Sequence, residues 1–311
     1  MQPAPQGLLI ELPTPLLEDG GLDERGLAKL TKRASRRAHA LVAAGPKAGQ
    51  GQRLSQELWQ QAVQVVLQTA PKSLPVMVGL SASSSKATLG RAKWLAGFSL
   101  GRQLWGLDLA LYHHSNRGLP GWVDKLAGAL SGPILLVNQP DQVRGRRGAT
   151  RHLNLMPKVL AKCSVNCKDS LAGVIVSGSI KLGQGLSRAL SPRPMARVYE
   201  GDELSFLSRP ASAGIMSAGA ALLPELWRVV VDSALGLTDG GLSGPKERRA
   251  LISAAGRVRE LAELMASHPA AVTAILAHGA GLIQSSRTAG PRAEAEVGRA
   301  ALAWLERGGL T

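Results

Sequence analysis

Short apolar runs alternate with longer stretches of helical period along most of the chain. "GLLIEL" (7–12) reads as a strand, followed by a helix near 23–37 with Asp23 as its N-cap. "HALVAA" (39–44) is the next strand, and "SQELWQQAVQVVLQT" (55–69) the next helix, capped by Ser55. "LPVMVGL" (74–80) with "KATLGRAKWLAGFS" (86–99) repeats the unit. So do "LDLALY" (107–112) with the segment to about 130, and "PILLVN" (133–138) with a helix near 150–161. "CSVNCK" (163–168), "ARVYEG" (196–201) and "AGIMSA" (213–218) complete eight expected strands.

These strands are short, apolar on both faces and separated by helices, the pattern of a parallel sheet buried on both sides. Eight units in this length predict an α/β fold, a closed (β/α)8 TIM barrel spanning residues 1–240. From about 244 onward no strand pattern remains. "PKERRALISAAGRVRELAELM", "PAAVTAILAHGAGLI" and "RAEAEVGRAALAWLERG" predict a three-helix extension over 241–311. Within the expected sixth strand, alternation places Ser164, Asn166 and Lys168 toward the barrel interior. Lys168 then ends the strand on the face where such barrels do their chemistry.

The composition is that of a core-forming protein: 45% of the 311 residues are hydrophobic and 19% charged. No apolar run is long enough to span a membrane, and the N-terminus lacks a basic and then apolar leader, so a cytoplasmic protein is expected. The two cysteines, Cys163 and Cys167, would lie about 13 Å apart on one strand, beyond disulfide reach. A net charge of +15 raises nucleic acid as a partner, but the arginines are spread along the chain and aromatics make up only 3%, which argues against it as the main function. The densest basic stretch, "VRGRRGATRH" (143–152), holds Arg144, Arg146, Arg147, Arg151 and His152. It is either a solvated loop or a contact for an anionic ligand. "AGPKAGQG" (44–51) is not a phosphate-binding loop, because the terminal Gly-Lys-Ser/Thr is missing. The histidines are scattered without metal-ligand spacing, so no metal and no cofactor are expected.

In order and spacing, "TPLLEDGGLDERGLAKL" (14–30), "RLSQELW" (53–59), "LPVMVGL", "GLPGW" (118–122), "PILLVNQP" (133–140), "CKDS" (167–170) and "VYEGDE" (198–203) resemble the dihydrodipicolinate synthase / N-acetylneuraminate lyase family. These are aldolases that form a Schiff base with a 2-keto acid. The resemblance implies a lyase acting on a pyruvate-like substrate, assembled as a homo-oligomer, a dimer or tetramer. It places the family's nucleophilic lysine on Lys168. A free lysine is only about 0.04% neutral at pH 7, and an apolar barrel mouth would raise that fraction. It further implies substrate contacts from Pro46, Lys47, Val137, Arg144 and Gly201.

The departures from the family's pattern are as informative. Pro46 and Lys47 stand where the family has the threonines whose hydroxyl and backbone NH groups hold the keto-acid carboxylate, and Pro46 has no NH to give. Val137 stands where the family has its proton-transfer tyrosine. His114, in "LYHHSNRG", aligns near a second family tyrosine and is the substitute acid–base group. The carboxylate-binding arginine falls on Gln142, or with a short shift on Arg144. Loss of acid–base help typically costs 10² to 10⁴ in rate. Two functions therefore stand: a lyase working through Lys168, or a catalytically inactive member of the family serving as a binding or scaffold subunit. A third is an anion or nucleic-acid binder using the 143–152 cluster.

Overall fold

The computed structural model describes residues 3–98, 103–147, 152–167, 170–210, 213–237 and 244–310. In chain order the elements are β1 Gly7–Glu11, α1 Glu24–Ser35, β2 Ala40–Ala43, α2 Gln56–Thr69, β3 Val76–Gly79, α3 Ser85–Ala96, β4 Leu104–Leu109 and α4 Leu119–Leu130. Then come β5 Ile134–Asn138, α5 Pro140–Arg147, α6 Pro157–Asn166, β6 Leu171–Val176, α7 Ile180–Leu190, β7 Arg197–Glu200, α8 Glu203–Ser208, β8 Gly214–Ser217 and α9 Pro224–Leu235. Three helices follow: α10 Pro245–Met265, α11 Pro269–Gly279 and α12 Ala295–Glu306.

The eight strands form a closed barrel in sequence order, every pair parallel. Period-two alternation sorts their side chains. Leu9, Val42, Met77, Leu107, Leu135, Val137, Ile175, Tyr199 and Met216 fill the interior. Leu8, Ile10, Leu41, Val76, Val78, Leu136, Val174 and Ile215 pack outward against the helices. Closure between β1 and β8 needs a glycine. Gly214 has φ 121°, and a Cβ there would lie 1.9 Å from the carbonyl oxygen of Gly7. Asp23 and Ser55 cap α1 and α2 as expected, accepting from the backbone NH of Gly26 and Leu58.

The sixth strand is not where the sequence suggested. Residues 163–166 of the expected strand are the end of α6, and β6 begins at Leu171. Val159, Leu160, Cys163 and Cys167 recur at helical spacing and are all buried, with Pro157 in the first turn. "LAGVIV" is buried throughout, and its β-branched end suits a strand covered on both faces. The inward parity assigned to Ser164 and Asn166 falls with this correction. Ser164 is helical, and its hydroxyl donates to the Ala161 carbonyl at 2.8 Å. The two cysteines are four residues apart near the helix end, both free. β4 runs from Leu104 to Leu109 rather than over 107–112, and His113 and His114 lie in the loop that follows it.

The extension packs onto the barrel. α10 lies against α8 and α9. Asp23 caps α1 and also accepts from Gln284, through its backbone NH at 2.8 Å and its amide at 3.0 Å. Lys29 donates to the Gly281 carbonyl at 2.7 Å. Among the described residues no helix is long and apolar enough to cross a membrane.

Candidate functional site

The C-terminal ends of the strands carry two separate spaces, one inside the barrel mouth and one above it. Glu11 ends β1 with its side chain turned inward, as the alternation from Leu9 requires. It is fully buried. Its Oε1 accepts from the backbone NH of Lys47 at 2.7 Å and of Gly49 at 3.2 Å, while Oε2 has no partner among the described residues. Burial pushes its carboxyl up to about 7, against the pull of these NH groups and of the Lys47 ammonium. The loop after β2 bends tightly around this carboxylate. Ala44 takes a left-handed φ of 48°, and a Cβ on Gly45 would lie 2.6 Å from Glu11 Oε1.

Beneath the loop the inner wall is hydrocarbon. Val137 of β5 is level with Ile175 of β6, and Ile175 with Tyr199 of β7. Tyr199 donates its hydroxyl to the carbonyl of Pro5 at 2.7 Å, toward the N-terminal end of the barrel and away from the mouth. The space left among Ala44, Pro46, Gln52, Gly79, Ser81, Leu107, Leu109 and Val137 is about 10 Å³. That is about the size of a single water site.

The larger space, about 320 Å³, lies above, between the loops after β2, β5, β6 and β7 and the corner joining α10 to α11. Lys47, Gln139, Gln142, Ser177, Asp202 and Glu203 line its barrel side; Ala262, Met265, Ala266 and Pro269 line the other. Lys47 Nζ donates to the Gly201 carbonyl. Asp202 caps α8, accepting from Ser205 N at 2.7 Å. Glu203 Oε1 accepts from Ser217 Oγ at 2.5 Å and Gly219 N at 2.8 Å. Gln139 is only 3% exposed, and among the described residues neither of its amide atoms has a partner; nor has Ser177 Oγ.

The expected site residues therefore separate. Lys47 lies in the larger cavity, Pro46 and Val137 line the small one, and Gly201 serves Lys47 through its carbonyl. Lys168 lies outside the described residues. Its described neighbours, Cys167 and Ser170, stand before the first residue of β6, at the N-terminal end of the barrel, and β6 itself contains no lysine. His114 lines neither space. It stacks on Trp122 of α4 with ring centroids 4.7 Å apart and contacts Ser85 of α3 at 3.4 Å. Arg144 is exposed and pairs with Asp141 at 3.3 Å; Gln142 reaches the cavity instead, its Oε1 accepting from Gln52 at 3.0 Å. The rest of the 143–152 cluster falls largely outside the described residues: the side chains of 145–147 and all of 148–151.

Glu11, Gln139, Ser177 and Ile175 were not singled out from the sequence. Glu11 did leave a signal, as the one charge inside the apolar run "GLLIEL". No group of three or more histidine, cysteine or acidic side chains able to hold a metal occurs among the described residues.

Comparison of the sequence with protein-family models and with curated proteins gives no match. Solved structures do match over nearly the whole chain. Dihydrodipicolinate synthase from Aquifex aeolicus has a TM-score of 0.80 at 15% identity, covering 98% of both chains. The chloride-inhibited dihydrodipicolinate synthase from Acinetobacter baumannii, complexed with pyruvate, has a TM-score of 0.79 at 21% identity, covering 99% of this chain and 100% of that one. The sialic acid aldolase of Ruminococcus gnavus has a TM-score of 0.76 at 16% identity, covering 97% of each. The closed barrel and its three-helix extension thus share the fold of the dihydrodipicolinate synthases and of a sialic acid aldolase.

Proposed function

We propose that this chain is a barrel of aldolase architecture whose inner site is catalytically silent, and that it works as a binding or scaffold subunit. One observation carries the reading. The Glu11 carboxylate accepts from the backbone NH groups of Lys47 and Gly49, in the loop where the family resemblance seats the carboxylate of a keto acid. The chain's own side chain holds the substrate's place. Two features agree with it. Val137 and Ile175 present hydrocarbon to the interior, and the space left, about 10 Å³, does not admit a keto acid. The assembly expected is a dimer or tetramer of this chain, measurable by ultracentrifugation.

The second reading is a lyase acting on a 2-keto acid through a Schiff base on Lys168, with His114 as acid–base group. Likeness of fold to the pyruvate-complexed synthase favours it. Incubation with pyruvate and a panel of 2-keto acids, reduction with borohydride and measurement of the intact mass separate the two. The silent barrel predicts an unchanged mass from folded protein. An adduct mapped to Lys168 establishes the lyase instead.

A further inference from the structure

The positive charge of the chain is unevenly placed. Residues 83–199 hold 17 of its 37 lysines and arginines but only 4 of its 22 acids, a surplus of 13 out of the net +15. This stretch builds four successive helices of the outer ring, α3, α4, α6 and α7, each packed on the next. Its acids offset little of the charge at the surface. Asp108 is buried, Asp141 pairs with Arg144, Asp124 accepts from the thiol of Cys167 at 3.9 Å, and Asp169 lies outside the described residues. The helices of a (β/α)8 barrel run antiparallel to its strands, so the C-terminal halves of these four gather at the end of the barrel away from the mouth. There Lys93, Lys125, Lys162 and Arg188 are exposed, and none of them is in an ion pair among the described residues.

Helix C-termini favour cations, which accounts for Lys93 and Arg188 in the last turns of α3 and α7. It does not account for the apolar side chains left in water beside them. Val165 is 69% exposed, Met195 40% and Phe98 37%, at or just beyond the ends of α6, α7 and α3. Arg193 donates to the Ser164 carbonyl at 2.7 Å, which ties the turn that carries Met195 to the end of α6, where Val165 stands. The mixture selects among occupants. A second copy of the same face would set cations on cations. A nucleic acid would use the cations but not the aliphatic side chains, and Phe98 is already packed on Trp94, with ring centroids 4.4 Å apart. An anionic bilayer surface uses both kinds of side chain.

We propose that the C-terminal ends of α3, α4, α6 and α7 form a docking face for an anionic lipid bilayer. Lys93, Lys125, Lys162 and Arg188 meet the headgroup anions, and Val165, Met195 and Phe98 enter the boundary between headgroups and acyl chains. The barrel mouth then faces away from the bilayer. The inference stands on this face and not on the silent inner site: borohydride trapping reports on one and bilayer binding on the other, so either can fail alone.

The test is co-sedimentation of the full chain with vesicles of phosphatidylcholine, with and without about 30 mol% phosphatidylserine. The chain is expected to bind the anionic vesicles at least about tenfold more tightly, and to leave them as salt rises from about 0.05 M to about 0.5 M. Two charge-reversing pairs, each shown to be folded by circular dichroism, separate this face from net charge. Lys162→Glu with Arg188→Glu is expected to weaken vesicle binding at least about tenfold. Arg25→Glu with Lys32→Glu makes the same change in net charge on α1, across the ring, and is expected to weaken it less than about threefold. Val165→Ser with Met195→Ser is expected to weaken vesicle binding at least about threefold and to leave binding of a double-stranded oligonucleotide unchanged. Equal losses from the two charge pairs, or no binding of anionic vesicles by folded protein at low salt, would overturn the proposal. So would tighter binding of the oligonucleotide than of vesicles at equal phosphate. A change in the sedimentation coefficient of the free chain on Lys162→Glu with Arg188→Glu would make the face a contact between copies instead.

Discussion

Glu11 concentrates the unusual chemistry of the molecule in one side chain. A charge inside an apolar strand has to be satisfied or neutralised, and here it is half of each: one oxygen takes two NH groups and the other takes none among the described residues. With its carboxyl raised from 4.5 to about 7, the folded chain holds the proton more tightly than the unfolded chain across that window. Stability is therefore fullest below pH 4.5 as far as this group is concerned, and falls as pH rises through 7. The difference amounts to roughly 3 kcal/mol. Glu200, also raised to about 7 by burial, acts in the same direction. Glu11→Gln keeps an oxygen for Lys47 N and Gly49 N and removes the charge. Urea unfolding should find the variant more stable than the parent at pH 8, by about 1–3 kcal/mol, and equal to it at pH 4.5. A gain of the same size at both pH values would show that ionisation is not the cause.

At the scale of elements, the loop that grips Glu11 is itself held by α3. Arg91 is 1% exposed and donates to the carbonyls of Gly51 at 2.9 Å, Ser81 at 2.8 Å and Leu54 at 2.9 Å, with its guanidinium 4.9 Å from the Trp59 ring centroid. One side chain thus ties the ends of the β2 and β3 loops to two helices. Arg91→Met would leave three buried carbonyls without that donor and should cost at least about 3 kcal/mol in urea unfolding. A loss under about 1 kcal/mol would mean that the loop is held by other contacts. The misplaced sixth strand belongs to this scale as well. "CSVNCK" and "LAGVIV" are both short apolar runs, and a short apolar run does not by itself distinguish helix from strand. Length decided against the first, because residues 163–166 close a ten-residue helix that starts at Pro157.

For the whole molecule, the question is whether residues 241–311 are an appendage or part of the folding unit. Val258, Leu261, Ala262 and Met265 of α10 are buried in the same cluster as, or beside, the outer faces of the strands, and Asp23 and Lys29 of the barrel are bound to residues of the extension. The helical corner also roofs the 320 Å³ cavity. Calorimetry on the full chain should therefore show one cooperative transition. Two resolved transitions would make the extension an independent domain.

The sequence by itself determined the architecture. Alternating short apolar runs and amphipathic helices leave a closed parallel barrel as the arrangement that buries both faces of every strand, and the caps at Asp23 and Ser55 and the three tail helices follow from local chemistry. It also marked Pro46, Lys47 and Val137 as the points where the loop and the wall depart from an aldolase mouth. Tertiary structure alone decided the register of β6, and with it that Ile175 faces the interior where a lysine was expected. It decided that His114 rests on Trp122, and that Glu11 closes on a loop more than thirty residues away. The reason is the same in each case. Facing inward or outward is set by period-two register, so an error of one element moves every side chain, and a contact between distant segments has no signature in either segment taken alone.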